Sequence, residues 1–180
     1  MIARSAIALI FFMLAMFSLP MRAADNSLNS KFRETSDSPY YLDFELMDQV
    51  GILWRLSQLR GQVVVINFWA TWCAPCLKEL PSMQALSTLL EDEAFSLLAI
   101  NAGEESIEIN KFLENFDPPL DFPILGDPNM QAAGEWGVRG LPTTYIVNRH
   151  GRLLEFAEGE IDFTNNTLVK KLQRLIDGGR

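Results

Sequence analysis

The sequence predicts an α/β domain built on a central mixed β-sheet flanked by helices on both faces, and three observations predict it. Val63-Val64-Val65-Ile66-Asn67-Phe68-Trp69 is a short, continuous, β-branched run, the pattern of a strand buried on both faces in a parallel sheet. Phe95 to Ile100 reads as a second buried strand, and segments with helical spacing lie between the predicted strands, which implies crossover connections and a parallel core. Thr143 to Val147 and Leu153 to Ala157 flank Asn148-Arg149-His150-Gly151, a hairpin signal that adds antiparallel strands.

The remaining elements follow in order. Leu42, Phe44 and Leu46 alternate with polar residues, Asp48-Gln49-Val50-Gly51 reads as a turn, and Ile52 to Leu56 returns; this is an N-terminal β-hairpin. Leu56 to Leu59 makes one helical turn before Gly61. A helix begins near Cys73 and runs to about Leu90, with Pro75 in its first turn, where the missing N–H does no harm. Ile109, Phe112, Leu113 and Phe116 mark an amphipathic helix ended by Asp117-Pro118-Pro119. Phe122 to Leu125 forms a short strand and Asn129 to Trp136 a short helix; Leu168, Val169, Leu172, Leu175 and Ile176 define the last helix, stopped by Gly178.

The N-terminus has a different character. Met1 to Arg4 carries one positive charge, Ala6 to Leu19 is almost entirely apolar, and Pro20, Ala23 and Ala24 follow, the layout of a secretory signal. The apolar run is shorter than the roughly 20 residues a spanning helix prefers. Met21 and Arg22 fit a cleavage site poorly, so residues 1–24 read as a signal peptide or a membrane anchor; both deliver the rest outside the cytosol. Residues 25–39 read as a linker and 40–178 as one domain. The formal net charge is -8, with no basic cluster to offset it, which argues against nucleic-acid binding.

Two cysteines remain in this exported chain, three positions apart. A Cys73–Cys76 bridge closes too small a loop to constrain much chain entropy. Structural zinc wants four nitrogen or sulfur ligands, and His150 is the sole histidine, so no metal and no cofactor is expected. The spacing favours redox chemistry. Trp72-Cys73-Ala74-Pro75-Cys76 lies where a buried strand hands over to a helix, whose free N–H groups and partial positive charge stabilise a thiolate. Cys73, at the helix start and exposed, is the attacking thiol; Cys76, one turn further in, resolves the mixed disulfide. Trp69, Trp72 and Phe68 read mainly as packing, and Trp72 also as a shield for Cys73. Glu79, three residues past Cys76, is either a solvated acid beside Lys78 or a proton acceptor for Cys76.

The stretch Asn67-Phe68-Trp69-Ala70-Thr71-Trp72-Cys73-Ala74-Pro75-Cys76-Leu77-Lys78-Glu79-Leu80-Pro81 resembles the signature of the thioredoxin superfamily, and within it the exported TlpA/ResA/CcmG-like branch. The resemblance covers Tyr40 to Ile176. It implies a thioredoxin fold with a central helix–strand insertion in the Glu105–Asn129 stretch. It implies a thiol:disulfide oxidoreductase at the extracytoplasmic face of the bacterial membrane or in the periplasm. The activity would be reduction of exported proteins, such as apocytochrome c or respiratory copper-site proteins, with recharging by a membrane thiol donor. In Gly137-Val138-Arg139-Gly140-Leu141-Pro142-Thr143-Thr144 it implies a cis Pro142 facing the cysteines, with Trp72, Leu141, Pro142 and Thr143 contacting substrate. It implies a proton-transfer role for Glu79, while Asn67 stands where thioredoxin itself carries a buried aspartate. Two other classes fit less well. A peroxiredoxin-type peroxidase needs a threonine three residues before its cysteine, and Thr71 stands two before Cys73; a Sco-type copper carrier needs wider cysteine spacing and a distal histidine.

Overall fold

A computed structural model describes residues 31–34 and 42–178; the expected leader or anchor, residues 1–24, lies outside them. Among the described residues, eight strands and four α-helices follow one another: β1 (Arg33–Glu34), β2 (Glu45–Met47), β3 (Leu53–Arg55), a 3-10 turn (Leu56–Leu59), β4 (Val63–Trp69), α1 (Ala74–Leu89), β5 (Phe95–Ala102), α2 (Ser106–Leu113), β6 (Ile124–Asp127), α3 (Gln131–Glu135), β7 (Thr143–Val147), β8 (Leu153–Glu158) and α4 (Asn166–Ile176). The main sheet has the order β1-β8-β7-β4-β5-β6. β4 pairs in parallel with β5 and antiparallel with β7, so the apolar run is the central strand, as its composition requires. β2 and β3 form the expected hairpin, tied to the sheet by an Asp48–Leu125 bridge.

Alternation along β4 divides the core. Val63, Val65 and Trp69 face a cluster containing Cys76, Leu80, Met83 and Leu86 of α1 with Leu168, Leu172 and Ile176 of α4. Val64, Ile66 and Phe68 face the opposite side, with Phe44, Leu56, Trp136, Tyr145 and the alanines of α3. Helices therefore cover both faces. Each fully buried large side chain contributes about 1.5–3 kcal/mol by leaving water, and all seven residues of β4 are buried.

Some boundaries differ from expectation. Arg33–Glu34, placed in the linker by composition, pairs antiparallel with Phe156 and Glu155 of β8, and Phe32 joins the core. The helix expected to reach Phe116 ends at Leu113 and begins earlier, where Glu105 and Glu108 form a capping box that satisfies the first free N–H groups. The strand expected from Phe122 runs from Ile124 to Asp127, beside β5. α1, in contrast, spans Ala74–Leu89 with Pro81 inside it, close to the expected Cys73–Leu90 range.

Candidate active site

The reactive segment is built at the C-terminal end of β4. The chain leaves the sheet at Ala70, and a turn closes when the Cys73 N–H donates to the Ala70 carbonyl at 3.2 Å. Cys73 is the N-cap residue of α1, with extended backbone angles and no side-chain cap. Its carbonyl accepts from the Leu77 N–H at 3.1 Å, the first turn of the helix. Pro75 sits in that turn, and no acidic residue does, so nothing there opposes the positive end of the helix.

Cys73 and Cys76 are joined in a disulfide with their Cα atoms 5.3 Å apart. Cys76 is 1% exposed and Cys73 4%, which corrects the expectation of an exposed Cys73. In the oxidised pair Cys73 belongs to the cluster that holds Trp69, Leu80 and Ile161. Trp72 corrects the opposite expectation: it is 70% exposed, a surface aromatic beside the disulfide and not a packing residue. Trp69 and Phe68 are core, as read from the sequence.

Glu79 lies one turn after Cys76 on α1 and is only 1% exposed. Its Oε1 accepts from the Ile161 N–H at 2.6 Å and its Oε2 from Asn67 Nδ2 at 3.1 Å. Burial pushes its carboxyl up to about 7, against the pull of those two hydrogen bonds; Glu160 adds to the rise and Lys31 opposes it. The solvated-acid reading is thereby removed. A carboxyl with this affinity exchanges protons near neutrality, as general acid–base work requires. Ile161 also lines a cleft with Lys31, Lys78, Ser82, Glu160, Asp162 and Asn165.

The Leu141–Pro142 peptide is cis. Leu141 is half-buried and packs against the cluster containing both cysteines. The Pro142 carbonyl accepts from Gly159 N–H at 2.8 Å, and the Thr143 hydroxyl donates to the Gly140 carbonyl at 2.7 Å. The Thr143 side chain is thus already engaged inside the protein. His150 sits exposed in the β7–β8 turn.

Two polar groups were not singled out from the sequence. Thr144 Oγ1 accepts from Asn67 Nδ2 at 3.0 Å, which brings β7 into the Glu79 network. Glu104, buried just beyond β5, accepts from the Thr71 N–H at 2.7 Å, from the Thr71 hydroxyl and from Asn101 Nδ2 at 2.8 Å. A glutamate following a buried strand was the only available signal; its partner lies 33 residues earlier.

A disulfide at the start of a helix and the end of the central strand, in a cluster against which Leu141 of the cis Leu141–Pro142 peptide packs, defines a thioredoxin-fold thiol–disulfide oxidoreductase. The AhpC/TSA family model matches residues 40–156. Thiol-disulfide oxidoreductase ResA of Geobacillus thermodenitrificans is 38% identical over 117 residues, 65% of this chain and 66% of the relative. ResA of Bacillus subtilis is 34% identical over 146 residues, 81% of this chain and 77% of the relative. Among solved structures, a Chlorobium tepidum protein assigned as thiol:disulfide interchange protein DsbE superimposes with a TM-score of 0.64 at 29% identity, covering 77% of this chain and 93% of that one. The exposed lipoprotein thioredoxin of Streptococcus pneumoniae gives 0.65 at 29% identity, covering 74% of this chain and 100% of that one. The chain belongs to the AhpC/TSA family and, with its ResA relatives, to the thiol–disulfide oxidoreductases of that fold.

Proposed function

We propose that this chain reduces disulfides in exported proteins by exchange at Cys73 and Cys76. The Cys73 thiolate attacks one sulfur of the partner's disulfide; the partner's other sulfur leaves as a thiolate and takes a proton. Glu79 accepts the proton of Cys76, whose thiolate attacks Cys73 and expels the partner's second sulfur. Two electrons and two protons pass to the partner, and the Cys73–Cys76 disulfide remains. An extracytoplasmic thiol donor at the membrane then returns the electrons. Leu141 offers its backbone to an extended partner strand, left free because Pro142 has no N–H and its carbonyl is taken by Gly159, and Trp72 offers a surface for the strand to rest on.

The observation that carries this reading is a disulfide at the N-terminus of α1 with a buried carboxyl, held near neutrality, one turn behind it. Residues 1–24 would deliver the domain to the periplasm or the outer face of the membrane as a cleaved signal or an anchor. The resemblance to the TlpA/ResA/CcmG-like branch points to cytochrome c or respiratory copper-site maturation, or to general periplasmic thiol reduction. Cys76→Ser in the native compartment tests all of it. The variant is expected to accumulate mixed disulfides through Cys73, and identifying the trapped proteins names substrate and donor. Trapping by Cys73→Ser alone would reverse the roles of the two cysteines.

A further inference from the structure

We propose that Glu104 is a positioning residue for the reactive cysteine: it clamps the turn that presents Cys73 to the N-terminus of α1. The turn from Ala70 to Cys73 is held by one internal hydrogen bond, Cys73 N–H to Ala70 O. Ala70 and Cys73 pack into the core at its two ends, and between them a carboxylate takes the polar groups of the turn. Glu104 receives both donors of Thr71, two residues before Cys73: Oε2 takes the N–H and Oε1 the hydroxyl. Oε2 also takes Asn101 Nδ2, and Asn101 stands in register with Trp69, the last residue of β4. Hydrogen bonds to an ionised acceptor are roughly twice as strong as neutral ones, and three converge here. Glu104 is 8% exposed, and among the described residues no lysine or arginine forms an ion pair with it.

The bracket that carries Glu104 is itself rigid. Gly103, at a φ of 83°, donates its N–H to the Asp127 carbonyl at 2.9 Å. Glu105 caps α2 on the other side, its N–H donating to Glu108 Oε2 at 2.8 Å. The clamp thus runs from the end of β6, through the β5–α2 loop, to the turn before the disulfide. It leaves Trp72 facing outward and Cys73 at the helix end while the bond between the sulfurs opens and closes.

Two effects of Glu104 have opposite signs, which makes the assignment testable. As a clamp it keeps Cys73 where the helix N-terminus favours its thiolate. As a nearby anion it disfavours that thiolate. The experiment is the pH dependence of alkylation of the reduced full-length protein, with the alkylated cysteine located by peptide mass. Glu104→Ala is expected to raise the Cys73 midpoint by about half a pH unit or more, about a threefold loss of thiolate below the midpoint. Glu104→Gln keeps an oxygen for the Thr71 and Asn101 donors and loses the charge, so its midpoint is expected at or below that of the parent protein. Thr71→Val, which removes only the hydroxyl donor, is expected to raise the midpoint less, and it decides the sign if Glu104→Ala does not fold. An unchanged or lowered midpoint in Glu104→Ala, or an equal rise in Glu104→Gln, overturns the proposal. The proposal rests on Cys73 as the attacking thiol: alkylation appearing first at Cys76 would sink that assignment, whereas alkylation at Cys73 with an unmoved midpoint sinks the clamp alone.

Discussion

Asn67 donates its amide to Glu79 across the contact between β4 and α1, at 3.1 Å. The other proton of the same amide goes to Thr144 on β7. One side chain, wholly buried in the middle of an apolar strand, therefore ties three elements together and holds the carboxyl behind the cysteines in place. Its carbonyl oxygen has no partner among the described residues. When Glu79 takes a proton it becomes a donor, and Asn67 is the neighbour with acceptor capacity to spare.

Glu79 makes stability depend on pH. Folded, it holds its proton up to about 7, against an ordinary value of 4.5. Between those values the native state binds more protons than the unfolded chain, so unfolding free energy falls as pH rises. The contribution is intact below about 4.5 and gone above about 7, roughly 3 kcal/mol in all. Urea unfolding at pH 5 and pH 8 should show this loss in the parent protein and not in Glu79→Gln. Equal pH dependence in both would mean that the buried carboxyl titrates like a free one.

The same residue should set the release step. Decay of a preformed Cys73 mixed disulfide should accelerate as pH rises through about 7, where Glu79 ionises and can accept the Cys76 proton. Glu79→Gln should slow that decay about a hundredfold at neutral pH, the lower end of what a positioned base supplies. Stopped-flow release measurements across pH check both points, and an unchanged profile removes Glu79 from the mechanism.

Asn67→Ala withdraws one of the hydrogen bonds that hold the Glu79 carboxyl down. The Glu79 midpoint should therefore rise further, read from its side-chain carboxyl carbon by NMR. A fall would mean that the lost bond favours the protonated form.

Two neighbouring tryptophans should behave in opposite ways. Trp69 is fully buried, and Trp69→Ala should cost about 3–5 kcal/mol of unfolding free energy. Trp72 is 70% exposed, and Trp72→Ala should stay within about 0.5 kcal/mol. It should nonetheless raise KM for a protein disulfide while leaving reduction of a small-molecule disulfide close to the parent rate. Thermal unfolding and paired kinetics separate the two.

Phe32, in the segment expected to be a linker, packs into the core. It is 9% exposed, lies in the core and carries Lys171 Nζ 5.0 Å from its ring centroid. Phe32→Ala should destabilise by about 3 kcal/mol, read by urea unfolding. A neutral effect would return this segment to the role of linker.

The legible parts of the sequence were those where composition alone carries direction. The run from Val63 to Trp69 has the composition of a strand buried on both sides, and Cys73 and Cys76 just past its end point to where the chemistry lies. β1 was hidden because Arg33 and Glu34 are exposed edge residues with no apolar alternation to betray them. Trp72 was misjudged because an aromatic residue in a sequence has no direction; the turn after Ala70 points it outward. Glu104 was missed because its partner is distant in the chain, and no local pattern encodes a contact made only when β4 and β5 lie side by side. Glu79 was named but left open, since its role depends on burial that only the packing of α1 against β4 creates.

The parity of positions along β4 has a consequence for how such a protein can vary. The odd positions face the side of the cysteines, with Val63, Val65 and Trp69 in their cluster and Asn67 bonded to Glu79; the even positions face the aromatic layer of Phe44, Phe68, Trp136 and Tyr145. A single strand thus reads like two interleaved texts. The even text meets the face of the sheet away from the cysteines, so substitutions there act first on the aromatic packing and reach the sulfurs only through the strand itself.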